Sequence, residues 1–181
     1  MTAIHRADGR VVLEGRLGCH VCGAEFSLEN GVATFGIPSA PEAASGVPPD
    51  PWRIAALLDL RSPSGVVVLH GRAAAASEAL LEMLPVAILA VNAPVAPEPR
   101  ERFGALTTGL GLPLRTGVAV GIALADAGAV DDAARVLRPG GRLLAPVASE
   151  LPPGMEELAR DDREWVAVKR GGGEAVQLRR R

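Results

Sequence analysis

Two cysteines, Cys19 and Cys22, are the residues of this 181-residue chain whose spacing points most directly to chemistry. They form C-x-x-C-G within RLGCHVCGAEFSLENGV (16–32) and are the only cysteines in the sequence. In a β-rich context this spacing is typical of a zinc knuckle, where a turn directs both sulfurs at one metal ion. A structural zinc site has four ligands, so two thiols supply half of one.

Three interpretations of these cysteines stay open. In the first, Cys19 and Cys22 are a relic, two small buried side chains in a fold that no longer needs metal. In the second, zinc binds through both cysteines with His5 and water, or through two knuckles contributed by two subunits. In the third, they form a redox dithiol, although such motifs usually open a helix and this one precedes strand-like sequence.

The elements that must position these residues fall into three parts. Residues 1–37 alternate in short apolar runs with a turn signal at Asn30-Gly31, which predicts a small β-rich module. Residues 38–50 are rich in Pro, Ala and Ser and are typical of a linker. Residues 51–181 alternate helical patterns with continuous apolar strands, which predicts an α/β domain with a parallel sheet covered on both faces.

Within the α/β domain the apolar runs predict four buried strands, at 65–71, 86–92, 117–124 and 142–147. A helix begins at Asp50-Pro51, since Asp caps free amides and Pro is tolerated at the first helical position. Further helices are predicted over 73–84, 100–108 and 131–137, the last stopped by RPGG. The ending, 164–180, has the pattern of a β-hairpin, so we expect a doubly wound sheet closed by antiparallel strands.

The order of these elements, with DDAARVLRPGGRLLAPV at 131–147, resembles the class I S-adenosylmethionine-dependent methyltransferases. In that family a helix ending in L-x-P-G-G leads into the fifth strand, and a terminal hairpin completes the sheet. The stretch WRIAALLDLRSPSGVVVLHG (52–71) is similar to the family's first helix and first strand. The resemblance implies a Rossmann-like, mostly parallel fold over residues 51–181.

The loop that would hold the cofactor departs from the family's pattern. Members usually end the first strand with an acidic residue followed by G-x-G-x-G, and the matching stretch here is LHGRAAAAS. Leu69 stands at the acidic position, Gly71 at the first glycine, and Ala73 and Ala75 at the other two. Each alanine adds a methyl group where the backbone must approach the ligand, and it penalises a positive φ.

The other strand ends show the same loss of family features. Asn92 stands where the family tends to place an acidic residue on the ribose hydroxyls, and His70 could face the cofactor cleft. After the fourth strand, LADAGAV lacks the Asn-Pro-Pro-aromatic motif of amino-group methylases, and Asp126 is interpreted as a helix cap or a solvated acid. The resemblance therefore places the cofactor-binding positions at His70, Gly71 and Asn92, and predicts lost or weakened S-adenosylmethionine binding with no catalytic residue.

The stretch LGCHVCGAEFSLENGVATFG (17–36) resembles the second half of the small zinc-ribbon proteins that activate tRNA and translation-factor methyltransferases. In those proteins L-x-C-x-x-C is followed by an aromatic-apolar pair and an Asp-Gly-Ile tail, matched here by Phe26, Leu28 and the run 30–32. Such ribbons also occur fused ahead of methyltransferase domains. The upstream knuckle would fall near residues 1–8, where His5 is the one candidate ligand.

Composition excludes several classes of function. The formal charge of -2 and the pI near 5.9 argue against a nucleic-acid binder, and 3% aromatic residues with no Tyr leave no base-stacking surface. No apolar run is long enough to cross a bilayer and the N-terminus lacks a signal-peptide pattern, so we expect no membrane association and a cytoplasmic location.

Two functions follow from these expectations. The first is a non-catalytic, methyltransferase-like adaptor that binds a protein partner or forms a homodimer, with ENGVATFG (29–36) or the apolar linker supplying the contact. The second is an active small methyltransferase, acting on a small molecule or a protein.

Overall fold

A computed structural model describes residues 2–20, 22–37, 49–61, 65–95, 98–109 and 111–171. The strands found there are β1 (Thr2–Asp8), β2 (Val11–Gly18), β3 (Glu25–Glu29), β4 (Val32–Phe35), β5 (Val66–His70), β6 (Ala87–Val91), β7 (Phe103–Thr108), β8 (Ala119–Ala123), β9 (Leu137–Pro146), β10 (Met155–Arg160) and β11 (Glu164–Lys169). The helices are α1 (Pro51–Leu57), α2 (Ser77–Met83) and α3 (Val130–Val136), with 3-10 helices at Gly71–Ala76 and Ala127–Ala129. None of the helices in these ranges is long and apolar enough to span a membrane.

All the described strands belong to one sheet, in the order β1-β2-β3-β4-β7-β6-β5-β8-β9-β11-β10. The block from β4 to β9 is parallel, and the flanking strands pair antiparallel. Chain order reverses between β5 and β8, which makes this the switch point where open α/β sheets bind ligands. The predicted α/β class and the four buried strands are confirmed.

The core has one layer on each face of the sheet, as alternation along β5 shows. Val67 and Leu69 point to the face covered by α1, α2 and the first 3-10 helix. Val68 points to the opposite face, which α3 covers with Ala133 and Val136. All three β5 side chains are fully buried, as expected for a parallel strand covered on both sides.

The N-terminal strands extend the sheet of the α/β part. Asn30 (φ 50°) and Gly31 (φ 76°) form the two-residue turn between β3 and β4, as predicted from the Asn-Gly pair. β4 then pairs parallel with β7, so this strand joins the N-terminal hairpins to the parallel block. Residues 38–48 of the predicted linker lie outside the described residues.

The predicted helix over 100–108 is wrong, because Phe103–Thr108 forms β7. This strand has β4 on one side and β6 on the other, and Ala105, Leu106 and Thr108 are buried in it. The local sequence shows neither a clear helical nor a clear strand periodicity of apolar residues, so pairing with two neighbouring strands decides the conformation.

The predicted C-terminal hairpin is described only in its first arm, which is a strand as expected. β11 (Glu164–Lys169) pairs with the preceding strand β10 (Met155–Arg160), and the predicted second arm falls in 172–181, outside the described residues. β10 is the sheet edge and is exposed from Glu156 to Arg160, so it lacks the apolar alternation that marks a strand in sequence.

The end of α3 is held by the chain's single lysine. α3 ends at Val136, and RPGG already lies in β9, which begins five residues before the predicted strand start. Lys169 Nζ donates to the carbonyls of Ala134 (2.7 Å) and Leu137 (2.8 Å). A cation on the last carbonyls of a helix is favoured by both hydrogen bonding and the helix dipole.

Candidate functional site

Three polar side chains meet at the carboxyl edge of the parallel block. His70 is the last residue of β5, Asn92 directly follows β6, and Asp126 lies just beyond β8. β5 lies between β6 and β8 in the sheet, so these positions are adjacent. They sit at the switch point, where a doubly wound sheet presents its ligand site.

Asn92 links the end of β6 to the end of β7. Its Nδ2 donates to the Thr108 carbonyl at 3.0 Å, and its Oδ1 accepts from the Thr108 backbone N–H at 2.8 Å. These two bonds fix which way the amide points. Asn92 adopts φ 51°, a left-handed conformation that Asn tolerates better than most residues.

The amide of Asn92 also determines the tautomer of His70. Asn92 Nδ2 lies 3.3 Å from His70 Nε2, and since an amide nitrogen only donates, Nε2 is the acceptor. The ring proton therefore resides on Nδ1, 2.9 Å from Asp126 Oδ2. The Nδ1 contact is short but not aligned as a directed hydrogen bond, so we treat it as an electrostatic contact. His70 is 9% exposed, whereas the Asp126 side chain is 41% exposed, so water reaches the carboxylate side of this contact.

Asp126 has a second role, which the sequence predicted. Its Oδ1 accepts from the Gly128 backbone N–H at 3.0 Å and caps the 3-10 helix Ala127–Ala129. The helix-cap interpretation is confirmed, and the contact with His70 adds to it. Thr108, Asn92, His70 and Asp126 thus form one connected polar network across the ends of β7, β6, β5 and β8.

The stretch that matches the family's glycine-rich loop forms a 3-10 helix, Gly71–Ala76. Gly71 takes φ 60°, the positive value that the first glycine position requires. Ala73, Ala74 and Ala76 are buried in the core beside α1 and α2, while Ala75 is exposed. The alanine methyl groups therefore pack inward and hold the segment against the sheet.

These residues do not fit the way the resembled family holds S-adenosylmethionine. Asn92 has one side-chain oxygen instead of the two of a carboxylate, and that oxygen already accepts from the Thr108 N–H, while its amide hydrogens face Thr108 and His70. Of the two alanines at the later glycine positions, Ala73 is packed in the core and Ala75 is exposed. The fold brings the predicted cofactor-binding positions His70, Gly71 and Asn92 together, but the side chains of His70 and Asn92 contact each other.

A cleft of about 620 Å³ lies at the ends of β8 and β9, on the α1 side of the sheet; it reaches Ala125, next to Asp126, but no residue of the polar network lines it. Its floor is apolar and includes Ile54, Leu124 and Leu144. Charged residues line its rim: Asp50, Arg53, Arg72, Asp161, Asp162, Arg163 and Glu164. This volume is in the range of small-molecule sites.

An ion-pair cluster crosses the rim of the cleft. Arg53 of α1 reaches Asp161 at 2.6 Å and Glu164 at 2.5 Å, tying the helix to the turn between β10 and β11. The hydrogen bond to the Glu164 carboxylate raises the pKa of Arg53. Backbone N–H groups of Glu164 and Arg163, followed by the charge of Arg53, lower the pKa of Asp161. The sequence pattern did not indicate this cluster, because its members are about 110 residues apart.

The two cysteines lie in the turn between β2 and β3. The turn is closed by Cys19 N–H to the Ala24 carbonyl (2.8 Å) and Gly23 N–H to the Cys19 carbonyl (2.9 Å). Cys19 is half-buried, Cys22 is exposed, and neither is in a disulfide.

The pairing of β1 with β2 places His5 away from the two cysteines. Ile4 pairs with Gly15 and Thr2 with Leu17, so His5 lies about four residues along the ladder from Cys19. That separation is roughly 13 Å at about 3.3 Å per residue, too far for a shared ion. Among the described residues no group of three or more His, Cys, Asp or Glu is placed to hold a metal.

No protein-family model matches the chain, and no curated protein is significantly similar to it. Among solved structures it is similar to geranyl diphosphate C-methyltransferase from Streptomyces coelicolor A3(2), with 14% identity, a TM-score of 0.44, and coverage of 52% of this chain and 41% of that one. It is also similar to the antibiotic-resistance methyltransferase Kmr, with 15% identity, a TM-score of 0.43 and coverage of 71% and 96%. A Corynebacterium glutamicum protein gives 14% identity, a TM-score of 0.44 and coverage of 76% and 86%.

The chain spans less than half the length of the geranyl diphosphate methyltransferase. Identities and TM-scores this low do not assign it an activity.

Proposed function

We propose that this chain is a non-catalytic, methyltransferase-like protein that acts in the cytoplasm as an adaptor or scaffold for a protein partner. The observation that supports this most is the polar network of Thr108, Asn92, His70 and Asp126. It uses the side chains at the strand ends for contacts within the protein. A pseudoenzyme needs no cofactor, and its fold is free to serve as a binding platform.

The state of the strand-end loop supports the same proposal. A site that exchanges a cofactor needs backbone that the ligand can approach, whereas Gly71–Ala76 buries three alanine side chains. Opening this segment would expose apolar surface and cost free energy that a cofactor would have to offset.

Native mass spectrometry of the purified protein with added S-adenosylmethionine tests the proposal. We expect the bare chain at cofactor concentrations that saturate active methyltransferases. The matched sample is the Asn92→Asp variant, which restores a carboxylate to the ribose position. An adduct of one S-adenosylmethionine per unmodified chain would overturn the proposal.

A second candidate is an active small methyltransferase acting on a small molecule or a protein. The observation that favours it is the cleft of about 620 Å³ beside the strand ends, with its apolar floor and charged rim. The same mass spectrum distinguishes the candidates, because catalysis requires an S-adenosylmethionine complex.

For Cys19 and Cys22 the redox pair and a zinc ion shared between two subunits stay open as proposals, whereas the relic interpretation required two buried side chains and Cys22 is exposed. The exposed position of Cys22 is compatible with a site completed by a second copy. One zinc per two chains, with a dimer that a chelator dissociates, is the result expected for the shared site. A monomer without zinc would remove it.

A further inference from the structure

Two crossovers between parallel strands contain no helix. The connection from β6 to β7 (92–102) and the one from β7 to β8 (109–118) are irregular wherever the structure describes them. Parallel strands are usually joined through a helix, and parallel sheets usually have both faces covered. Near β6 and β7, none of the described helices covers the sheet face that α3 covers elsewhere, and Leu112 and Leu114 of the 109–118 connection pack there instead.

An open groove of about 740 Å³ occupies this position. We call it the apolar groove, and its half-buried apolar side chains are Leu17, Leu28, Phe35, Val66, Leu89 and Leu114. They come from the N-terminal strands as well as from the α/β part. Gly104 of β7 also lines the groove and keeps its floor low.

The rim of the apolar groove carries both charges: acids surround Arg100, whereas Arg10 and Arg102 have no acidic partner among the described residues. Arg10, Arg100 and Arg102 line it together with one acid, Glu101. The Arg10 side chain makes no hydrogen bond or ion pair with any residue that the structure describes. Arg102 donates to the carbonyls of Leu81, Leu84 and Val86, and it forms no ion pair with a carboxylate in the part of the chain that the structure describes. Arg100 is neutralised by Glu78 at 2.7 Å.

We propose that the apolar groove docks an amphipathic α-helix of a partner protein, with the acidic side chains of that helix facing Arg10 and Arg102. A helix is the element that a parallel sheet face accepts, and an apolar stripe matches the floor. Acidic residues on its polar face complement Arg10 and Arg102. This inference rests on the proposed adaptor function and names the chemistry of its partner.

A synthetic peptide of about 18 residues, with leucines on one helical face and glutamates on the other, is the direct probe. Binding is measured by fluorescence anisotropy of the labelled peptide, and its position by hydrogen exchange of β4, β6 and β7. We expect micromolar affinity and protection of these strands. A peptide with lysine in place of each glutamate should bind at least tenfold more weakly, because its charges repel the arginines. A tenfold change in affinity corresponds to about 1.4 kcal/mol of binding free energy.

Three variants locate the contact. Leu28→Glu places a charge in the groove and should abolish binding, while Trp52→Glu alters an exposed side chain (71% exposed) outside the groove and should leave binding unchanged. Arg10→Glu, in an exposed turn, should weaken the acidic peptide roughly tenfold and improve the lysine peptide. Thermal melts establish whether each variant is folded. If Leu28→Glu does not fold, the result with Arg10→Glu decides the outcome.

The proposal is overturned if the acidic peptide fails to bind, if the lysine peptide binds as well, or if Arg10→Glu changes neither affinity. A concentration-dependent dimer that protects the groove strands would also overturn it, because a second copy would then be the occupant. S-adenosylmethionine binding is measured separately on the same protein. An adduct would refute the pseudoenzyme without affecting the peptide result, so the two failures are distinguishable.

Discussion

Asn92 combines a left-handed backbone conformation with hydrogen bonds to two neighbouring strand ends. Glycine could supply the backbone conformation at this position, but it could not supply the bonds. The side chain is therefore what ties β6 to β7 and sets the tautomer of His70. Asn92 is therefore a structural bridge between the ends of β6 and β7, at a position where the resemblance implied a contact with the cofactor.

Asn92→Gly tests the bridge without straining the backbone. We expect a loss of about 1–3 kcal/mol in the free energy of unfolding, because polar groups of Thr108 and His70 lose their partner. Urea denaturation measures this change. The matched control is Asn30→Gly, at a left-handed Asn (φ 50°) in the β3–β4 turn, which should change stability by no more than about 0.5 kcal/mol. Equal effects of the two substitutions would contradict the bridging role.

For individual residues, the sequence could single out His70 and Asn92 as site positions, but it could not predict their hydrogen-bond partners. The resemblance placed both at the cofactor cleft because they end adjacent strands. The partner of Asn92 is the backbone of Thr108, which no side-chain pattern records. The His70 contact with Asp126 spans 56 positions and exists only because β5 and β8 are neighbours.

At the scale of elements, the Arg53 cluster holds α1 against the β10–β11 turn. The lowered pKa of Asp161 means that its carboxylate stabilises the folded state above the usual carboxyl pKa, near 4. That stabilisation is lost as the pH falls through the lowered pKa. The join between helix and turn is therefore sensitive to acid and not to mild alkali.

Asp161→Asn keeps a side-chain oxygen for the turn but removes the charge facing Arg53. We expect a melting temperature below that of the unmodified protein by a constant amount between about pH 6 and 8, with the difference shrinking below about pH 4. Scanning calorimetry across this range measures it. The control Asp162→Asn, at the exposed neighbouring residue, should lower the melting temperature less. If the difference for Asp161→Asn is as large at acid pH as at pH 7, the stabilising role of the Asp161 charge is contradicted.

Sequence periodicity predicted β5, β6 and β8 because each is a continuous apolar run with both faces covered, and it found only the second, buried half of β9. It failed at β7 and β10, for opposite reasons. β7 mixes Gly, Ala and Thr and becomes a strand through its neighbours, whereas β10 is an exposed edge without an apolar face. Both depend on tertiary pairing, which local pattern does not contain.

For the whole molecule, the parallel pairing of β4 with β7 makes the N-terminal strands part of one sheet. They share the core layer that contains Leu17, Leu28 and Phe35 with residues of β6 and β7. The sequence divided the chain at the linker because composition changes there. A change in composition does not reveal that the segments on either side pair with each other.

One sheet predicts one unfolding transition. Trp165, fully buried in β11, reports on the α/β part by its fluorescence, and half-buried Cys19 reports on the N-terminal strands by its reactivity with a thiol reagent. In a Cys22→Ser background, which leaves one thiol, we expect both signals to change at the same urea concentration. Thiol exposure at clearly lower urea would show that the N-terminal strands unfold independently.

The bonds of Lys169 to the end of α3 bear on how partners of this protein can be found. Its ε-amine is the only one in this sequence, and it already donates to backbone carbonyls. Amine-reactive cross-linkers, which dominate interaction mapping, therefore find almost nothing to react with on the surface of the fold. Reagents that couple carboxylates or arginines suit this protein better, and a null result with lysine chemistry carries no information about whether a partner was bound.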